Sequence, residues 1–92
     1  LGMTNREKMI AGLPYDPMDP ELVAARLAAR ELFFAYNQTA PGELKRRQEL
    51  FRQLVGSAGE HFTVEPPFRC DYGFNIFWGE GAYANFDCVI LD

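Results

Sequence analysis

No apolar run in this 92-residue chain approaches the roughly 20 residues that a membrane-spanning helix needs, and the opening LGMTNREKM lacks the apolar core of a secretion signal. The chain therefore reads as cytoplasmic, with no membrane partner. Leu1 and Gly2 precede a natural start at Met3 and read as tag remnants. A basic excess is missing too: 9 Lys and Arg face 13 Asp and Glu, a formal charge of −4, which removes bulk attraction to nucleic acid. Cysteine is scarce. Cys70 and Cys88 are too few for a disulfide scaffold and lack metal-ligand spacing, so no metal is expected and both read as small buried hydrophobes. The signature of disorder is absent as well, because 48% hydrophobic and 24% charged residues make an ordinary globular balance. The length leaves room for one small domain.

What is present begins with helix signals. Thr4 followed by Glu7 matches a capping box and Gly12 a stop, which predicts a short helix over 5–11. The proline-rich stretch LPYDPMDP predicts an ordered, irregular loop. Asp19 offers an N-cap with Pro20 at the first helical position. Leu22, Arg26, Ala29, Phe33 and Tyr36 then recur at three- and four-residue steps up to Asn37, a plausible left-handed stop. A second stripe, Leu44, Leu50, Phe51, Leu54 and Val55, ends at Gly56, so a helical hairpin is expected. Lys45, Arg46, Arg47 and Arg52 form a basic cluster, but the pairs Glu43 with Arg47 and Lys45 with Glu49 favour a solvated face over a phosphate site.

From residue 61 the composition turns to aromatic, β-branched, Gly and Pro residues, which predicts β structure. Strict alternation is missing. A period of six appears instead from Tyr72: one column holds Tyr72, Trp78, Ala84 and Ile90, the next the turn-tolerant Gly73, Gly79 and Asn85, and the fifth Ile76, Ala82 and Cys88. Three such repeats make one triangular coil of a parallel β-helix. An 18-residue coil would stack Cys70 on Cys88, Phe68 on Phe86 and Asp71 on Val89.

With EKMIAG and the following Tyr15, RLAARELFFAYN, VEPPFRCDYGFNI and YANFDCVILD, the chain closely resembles the maltose, galactoside and nodulation-type O-acetyltransferases of the hexapeptide-repeat superfamily. The resemblance implies an α+β fold: an N-terminal helical cap over 3–58, then the first coil of a left-handed parallel β-helix over 61–92, assembled as a homotrimer with active sites between subunits. It also implies acetyl-CoA as co-substrate and a sugar hydroxyl as acceptor, with a histidine as general base. That histidine and the CoA-binding coils are expected beyond Asp92, so the 92 residues alone should not catalyse. His61 matches no catalytic position of the family and reads as a surface or packing residue.

Part of the acceptor side can be carried over. Asp71 in RCDYG and Asn85 in YANFD match positions that the family uses at the acceptor and acetyl-transfer site, which gives Asn85 a share in co-substrate binding as well. A carboxylate and an amide suit hydroxyls that must not be buried unpaired. For Asn85 a left-handed corner is the structural alternative. In the galactoside branch an aspartate of the N-terminal loop contacts acceptor; Pro17 stands at that position here, with Asp16 adjacent, a departure that leaves the acceptor open. Tyr83 and Phe86 could stack on sugar or fill a core. The rival reading is a non-enzymatic module for self-association or partner binding. In either case the uncharged segment CVIL is expected to expose an edge that recruits another strand.

Overall fold

The computed structural model of the protein describes residues 2–92, in which three helices lead into six short strands. Helix α1 (Asn5–Ile10) starts with the expected capping box: the Thr4 hydroxyl accepts the Glu7 N–H at 3.1 Å and the Glu7 carboxylate accepts the Thr4 N–H at 2.9 Å. Helix α2 (Pro20–Asn37) starts at Asp19, whose carboxylate accepts the Glu21 N–H and, through its other oxygen, the Asn5 side-chain amide at 2.8 Å. One aspartate thus caps α2 and ties α1 to it. The Asn5 bond, followed by the Glu21 bond, holds the Asp19 carboxyl below its ordinary range. Helix α3 (Leu44–Leu54) packs on α2 and buries Leu50, Phe51 and Leu54.

Two expectations about the helices are corrected, and a third changes in its partners. Leu44 is 64% exposed and stands outside the α3 stripe. Asn37 is not a left-handed stop, since Gln38 after it remains right-handed. Its side chain instead donates to Phe68 O at 3.0 Å and accepts the Phe68 N–H at 2.8 Å. A carboxamide carries the same donor and acceptor pair as a peptide unit, so Asn37 stands in for a missing strand neighbour. The basic cluster lies on an exposed face as expected, with Lys45, Arg46 and Arg52 exposed, but not through the pairs Glu43 with Arg47 and Lys45 with Glu49. Arg46 meets Glu43 at 4.0 Å, Arg47 donates to the Thr39 hydroxyl, and Arg52 donates to the carbonyls of Ala58, Gly59 and Glu60.

Six strands follow: β1 (Ser57–Ala58), β2 (Thr63–Val64), β3 (Phe68–Cys70), β4 (Phe77–Trp78), β5 (Tyr83–Ala84) and β6 (Cys88–Ile90). They pair in parallel as β1 with β4, β2 with β5 and β3 with β6, giving three two-stranded sheets and two successive coils. Ser57 lies opposite Phe77, Thr63 opposite Tyr83 and Phe68 opposite Cys88, an offset of 20 residues rather than 18. The surplus falls in the corner after Cys70, where the chain takes a wider turn before β4.

The six-residue column therefore holds from Trp78 through Ala84 to Ile90, stacked on Ala58, Val64 and Cys70, and Tyr72 falls outside it. The cysteines are not stacked: Cys70 faces Ile90 and Cys88 faces Phe68, both as free thiols. The proposed stacks of Phe68 on Phe86 and Asp71 on Val89 dissolve for the same reason. Gly73 is left-handed as expected (φ +89°), but the other left-handed corner residues are Gly81 (φ +73°) and Asp87 (φ +61°), not Gly79 and Asn85. In the two tight corners of the second coil the reversal sits just ahead of the next strand, whereas Gly73 lies in the middle of the wide turn.

A continuous core runs from the helices into the coils. Phe51, fully buried, meets Tyr36, Phe62, Phe68 and Trp78 at ring-centroid distances of 5.3–5.8 Å. The Tyr36 hydroxyl donates to Val64 O, and burial pushes its pKa up to about 12. No described helix is long and apolar enough to cross a membrane.

Candidate functional site

The three sheets make three corners, and Asp71, Asn85 and His61 each occupy a different one. Asp71 opens the wide corner between β3 and β4. It is half-buried, and among the described residues its carboxylate makes no hydrogen bond. The corner around it is rigidly tied. Gly73 O accepts the N–H groups of Gly56 and Ile76, at 3.1 and 2.9 Å. The Asp92 carboxylate accepts the N–H groups of Tyr72 and Asn75, at 2.9 and 3.1 Å, and Asn75 returns a bond to Asp92 O. A side chain from the second coil thus satisfies amides that the wide turn would leave unpaired. No period of six could reveal that clasp.

Asn85 follows β5, at the corner between the second and third sheets. It is exposed, and its Oδ1 accepts the neighbouring Phe86 N–H at 2.8 Å, which leaves the amide Nδ2 to donate outward. Tyr83 lies on the outer face of β5 at 61% exposure and Phe86 is 64% exposed, so neither fills a core. Asp71 and Asn85 therefore border the β3/β6 sheet from opposite edges, with Arg69 and Val89 outward between them. An open groove lined by Phe33, Phe34, Asn37, Pro66, Pro67 and Arg69 runs beside the same sheet.

Asp16 sits in the loop before α2. Its N–H donates to Asn5 Oδ1 and its carboxylate accepts the Met18 N–H, both at 2.9 Å. Arg26 links this loop to the Asp71 corner: Nη1 donates to the Tyr72 hydroxyl at 2.7 Å and Nη2 to Pro17 O at 2.7 Å. The spacing places Arg26 in the α2 stripe. A cation inside an apolar stripe was the available signal that it has a specific partner.

His61 lies at the remaining corner, its side chain 80% exposed, with Nδ1 3.4 Å from Glu80 Oε1. Glu80 accepts the N–H groups of His61 and Glu60, and these bonds, the His61 one foremost, lower its pKa. Glu60, His61 and Glu80 have the residue types to hold a cation, but the Glu80 oxygens are already committed to backbone.

A family model described as the maltose acetyltransferase hexapeptide capping motif matches residues 8–59. The chain is 45% identical to Nodulation protein L of Rhizobium meliloti, over 97% of this chain and 49% of that protein. A maltose O-acetyltransferase from Clostridium difficile shares the fold with a TM-score of 0.97 at 42% identity, over 100% of this chain and 49% of that one. A hexapeptide-repeat acetyltransferase from Vibrio cholerae, crystallised with acetyl coenzyme A, has a TM-score of 0.87 at 34% identity, over 98% and 48% of the two chains. The chain spans about half the length of the curated relatives it matches. With the capping motif matched over more than half its residues, the chain belongs to the maltose acetyltransferase group of hexapeptide-repeat acetyltransferases.

Proposed function

We propose that this chain supplies the helical cap, residues 3–58, and the opening of a left-handed β-helix, residues 61–92, in an acetyl-CoA-dependent sugar O-acetyltransferase. The observation that carries the reading is the likeness to a maltose O-acetyltransferase along the whole chain, with a TM-score of 0.97. In the reaction the sugar hydroxyl oxygen bonds to the thioester carbonyl carbon, the C–S bond breaks, and CoA leaves as the thiol. A base takes the hydroxyl proton. His61 is a poor candidate, because it stands on a different corner from both Asp71 and Asn85 and its ring faces Glu80. The base is assigned to a histidine outside these 92 residues, which by themselves should not turn over.

Within this reading Asp71 accepts hydrogen bonds from the sugar, and Asn85 donates through Nδ2 toward the acetyl group or the acceptor. Tyr83 offers an exposed ring for stacking, and Asp16 lies on the acceptor side through the loop before α2. The separation of Asp71 and Asn85 along the two edges of one sheet supports a pocket completed by a neighbouring copy, as in a homotrimer.

The test is acetyl transfer from acetyl-CoA to glucose, maltose and a galactoside by the protein expressed from its full reading frame. Acetylation of at least one sugar, reduced about 10- to 100-fold in Asp71→Ala or Asn85→Ala with the assembly intact, is the expected result. Full activity of both variants on every sugar accepted removes the assigned site, and no acetylation by the wild type removes the reading. An association module is the second reading, favoured by the exposed Phe77, Tyr83, Phe86, Val89 and Leu91. Its mark would be tight assembly without transfer.

A further inference from the structure

We infer that Arg26 is a positioning residue for the acceptor: its guanidinium fixes the Asp16 loop against the Asp71 corner and so sets the spacing of two carboxylates that meet the sugar. The inference rests on the proposed reading of Asp16 and Asp71. It starts from an anomaly in α2, whose inward positions Leu22, Ala29 and Tyr36 are buried and apolar, with a half-buried arginine among them. Withdrawing a guanidinium from water is costly unless its donors are matched. Here they are matched at both ends of the fork, to the Tyr72 hydroxyl and to Pro17 O, each at 2.7 Å. The guanidinium carbon also lies 5.7 Å from the Tyr72 ring centroid.

The identity of the two targets gives the pairing its meaning. Pro17 directly follows Asp16, and Tyr72 directly follows Asp71. The rigid, planar fork fixes the relation between its two partners as a flexible ammonium cannot. The remaining bonds of Asp16 reach Asn5 Oδ1 in α1 and, within the loop, the N–H groups of Met18 and Asp19. The corner, for its part, is anchored by Asp92 through Tyr72 N–H and Asn75 N–H. Among the described residues, Arg26 is the one side chain hydrogen-bonded to both segments. A second link runs through α1, where Asn5 accepts the Asp16 N–H and the Arg6 guanidinium carbon lies 4.2 Å from the Phe74 ring centroid, so loss of Arg26 loosens the distance between the carboxylates. Errors of about 1 Å in such spacings cost up to about 100-fold in turnover.

The experiment uses the protein from its full reading frame with acetyl-CoA and glucose, maltose or a galactoside, in three variants. Arg26→Met keeps the apolar stem and removes the fork, Arg26→Lys keeps the charge, and Tyr72→Phe removes one target. Acceptor KM should rise at least about tenfold in Arg26→Met while the acetyl-CoA KM changes less than about twofold, because this contact orders the acceptor side alone. Tyr72→Phe should follow in part. Arg26→Lys should recover less than half of the loss, since one ammonium cannot span both partners. Amide exchange over residues 13–18 should accelerate in Arg26→Met. Unchanged acceptor KM in both Arg26→Met and Tyr72→Phe, in folded protein, overturns the inference, as does unchanged loop exchange. If the wild type acetylates no sugar, the functional reading falls and the acceptor role with it, while faster loop exchange in Arg26→Met still establishes the tie itself.

Discussion

The two coils follow the same path and differ in what surrounds them. Outward positions of the first coil are Ser57, Thr63 and Arg69; the residues stacked on them in the second are Phe77, Tyr83 and Val89. Every face changes from polar to apolar over one strand spacing. The interiors differ in the opposite sense on one sheet only. Phe68 and Cys70 of the first coil are buried under the helices whereas Cys88 and Ile90, stacked on them, are half-buried; on the other two sheets the coils match, with Ala58 and Trp78 half-buried and Val64 and Ala84 buried. Backbone pairing alone sets neither pattern, since the register is the same on all three sheets. Cover does: helices close the first coil, and the exposed apolar outward residues of the second have the composition of a surface that meets another one.

That contrast can be broken most directly in the core. Phe68→Ala should cost about 3–5 kcal/mol, because the ring is fully buried against Phe51 and its neighbours. Phe77→Ala, at 72% exposure, should stay within about 0.5 kcal/mol in dilute protein. Urea unfolding of the two variants decides it, and comparable losses would mean that cover does not distinguish the coils.

A smaller effect separates the corners. Gly73 and Gly81 are both left-handed, but a Cβ on Gly73 would collide with the Leu54 carbonyl, whereas one on Gly81 would meet open space. Gly81→Ala should therefore lose about 1–2 kcal/mol, the conformational penalty alone. Gly73→Ala should lose more than about 3 kcal/mol, since backbone must also move. Equal losses in thermal or urea unfolding would show that the wide corner tolerates rearrangement.

Much of this architecture was legible in the sequence. Capping residues act locally, so Thr4, Glu7 and Asp19 disclosed where α1 and α2 begin. The period of six disclosed the coil, because each strand repeats the same inward and outward demands. What escaped depends on partners distant in sequence. Asn37 looked like a stop and instead extends the β3 ladder by a side-chain amide. Asp92 carried no expectation of its own, yet it clasps the wide corner at Tyr72, 20 residues upstream. The offset of 20 itself was hidden, since the surplus residues lie in one irregular turn that no repeat predicts. At the candidate site, motif resemblance marked Asp71 and Asn85 but not their separation on opposite edges of one sheet, which only the stacking order reveals.

The least disruptive probe of the contrast is the pair of thiols, because both face inward on adjoining strands and differ mainly in cover. Cys70 is buried, and its pKa is pushed up to about 12, first by desolvation and then by the Asp92 and Asp71 carboxylates. Cys88 is half-buried. At pH 8 in native protein, alkylation followed by mass spectrometry should therefore modify Cys88 well before Cys70, and unfolding in urea should erase the difference. The raised pKa also fixes a sign. Cys70 holds its proton in the folded state after the unfolded thiol, at about 8.5, has lost it, so its contribution is fully present below that pH. The contribution is lost as pH rises toward about 12. Stability measured across this alkaline window should fall less steeply in Cys70→Ala than in the wild type. Equal native labelling of the two thiols, or an identical alkaline slope in Cys70→Ala, would place Cys70 outside the closed part of the core and remove the distinction between a covered first coil and an open second one.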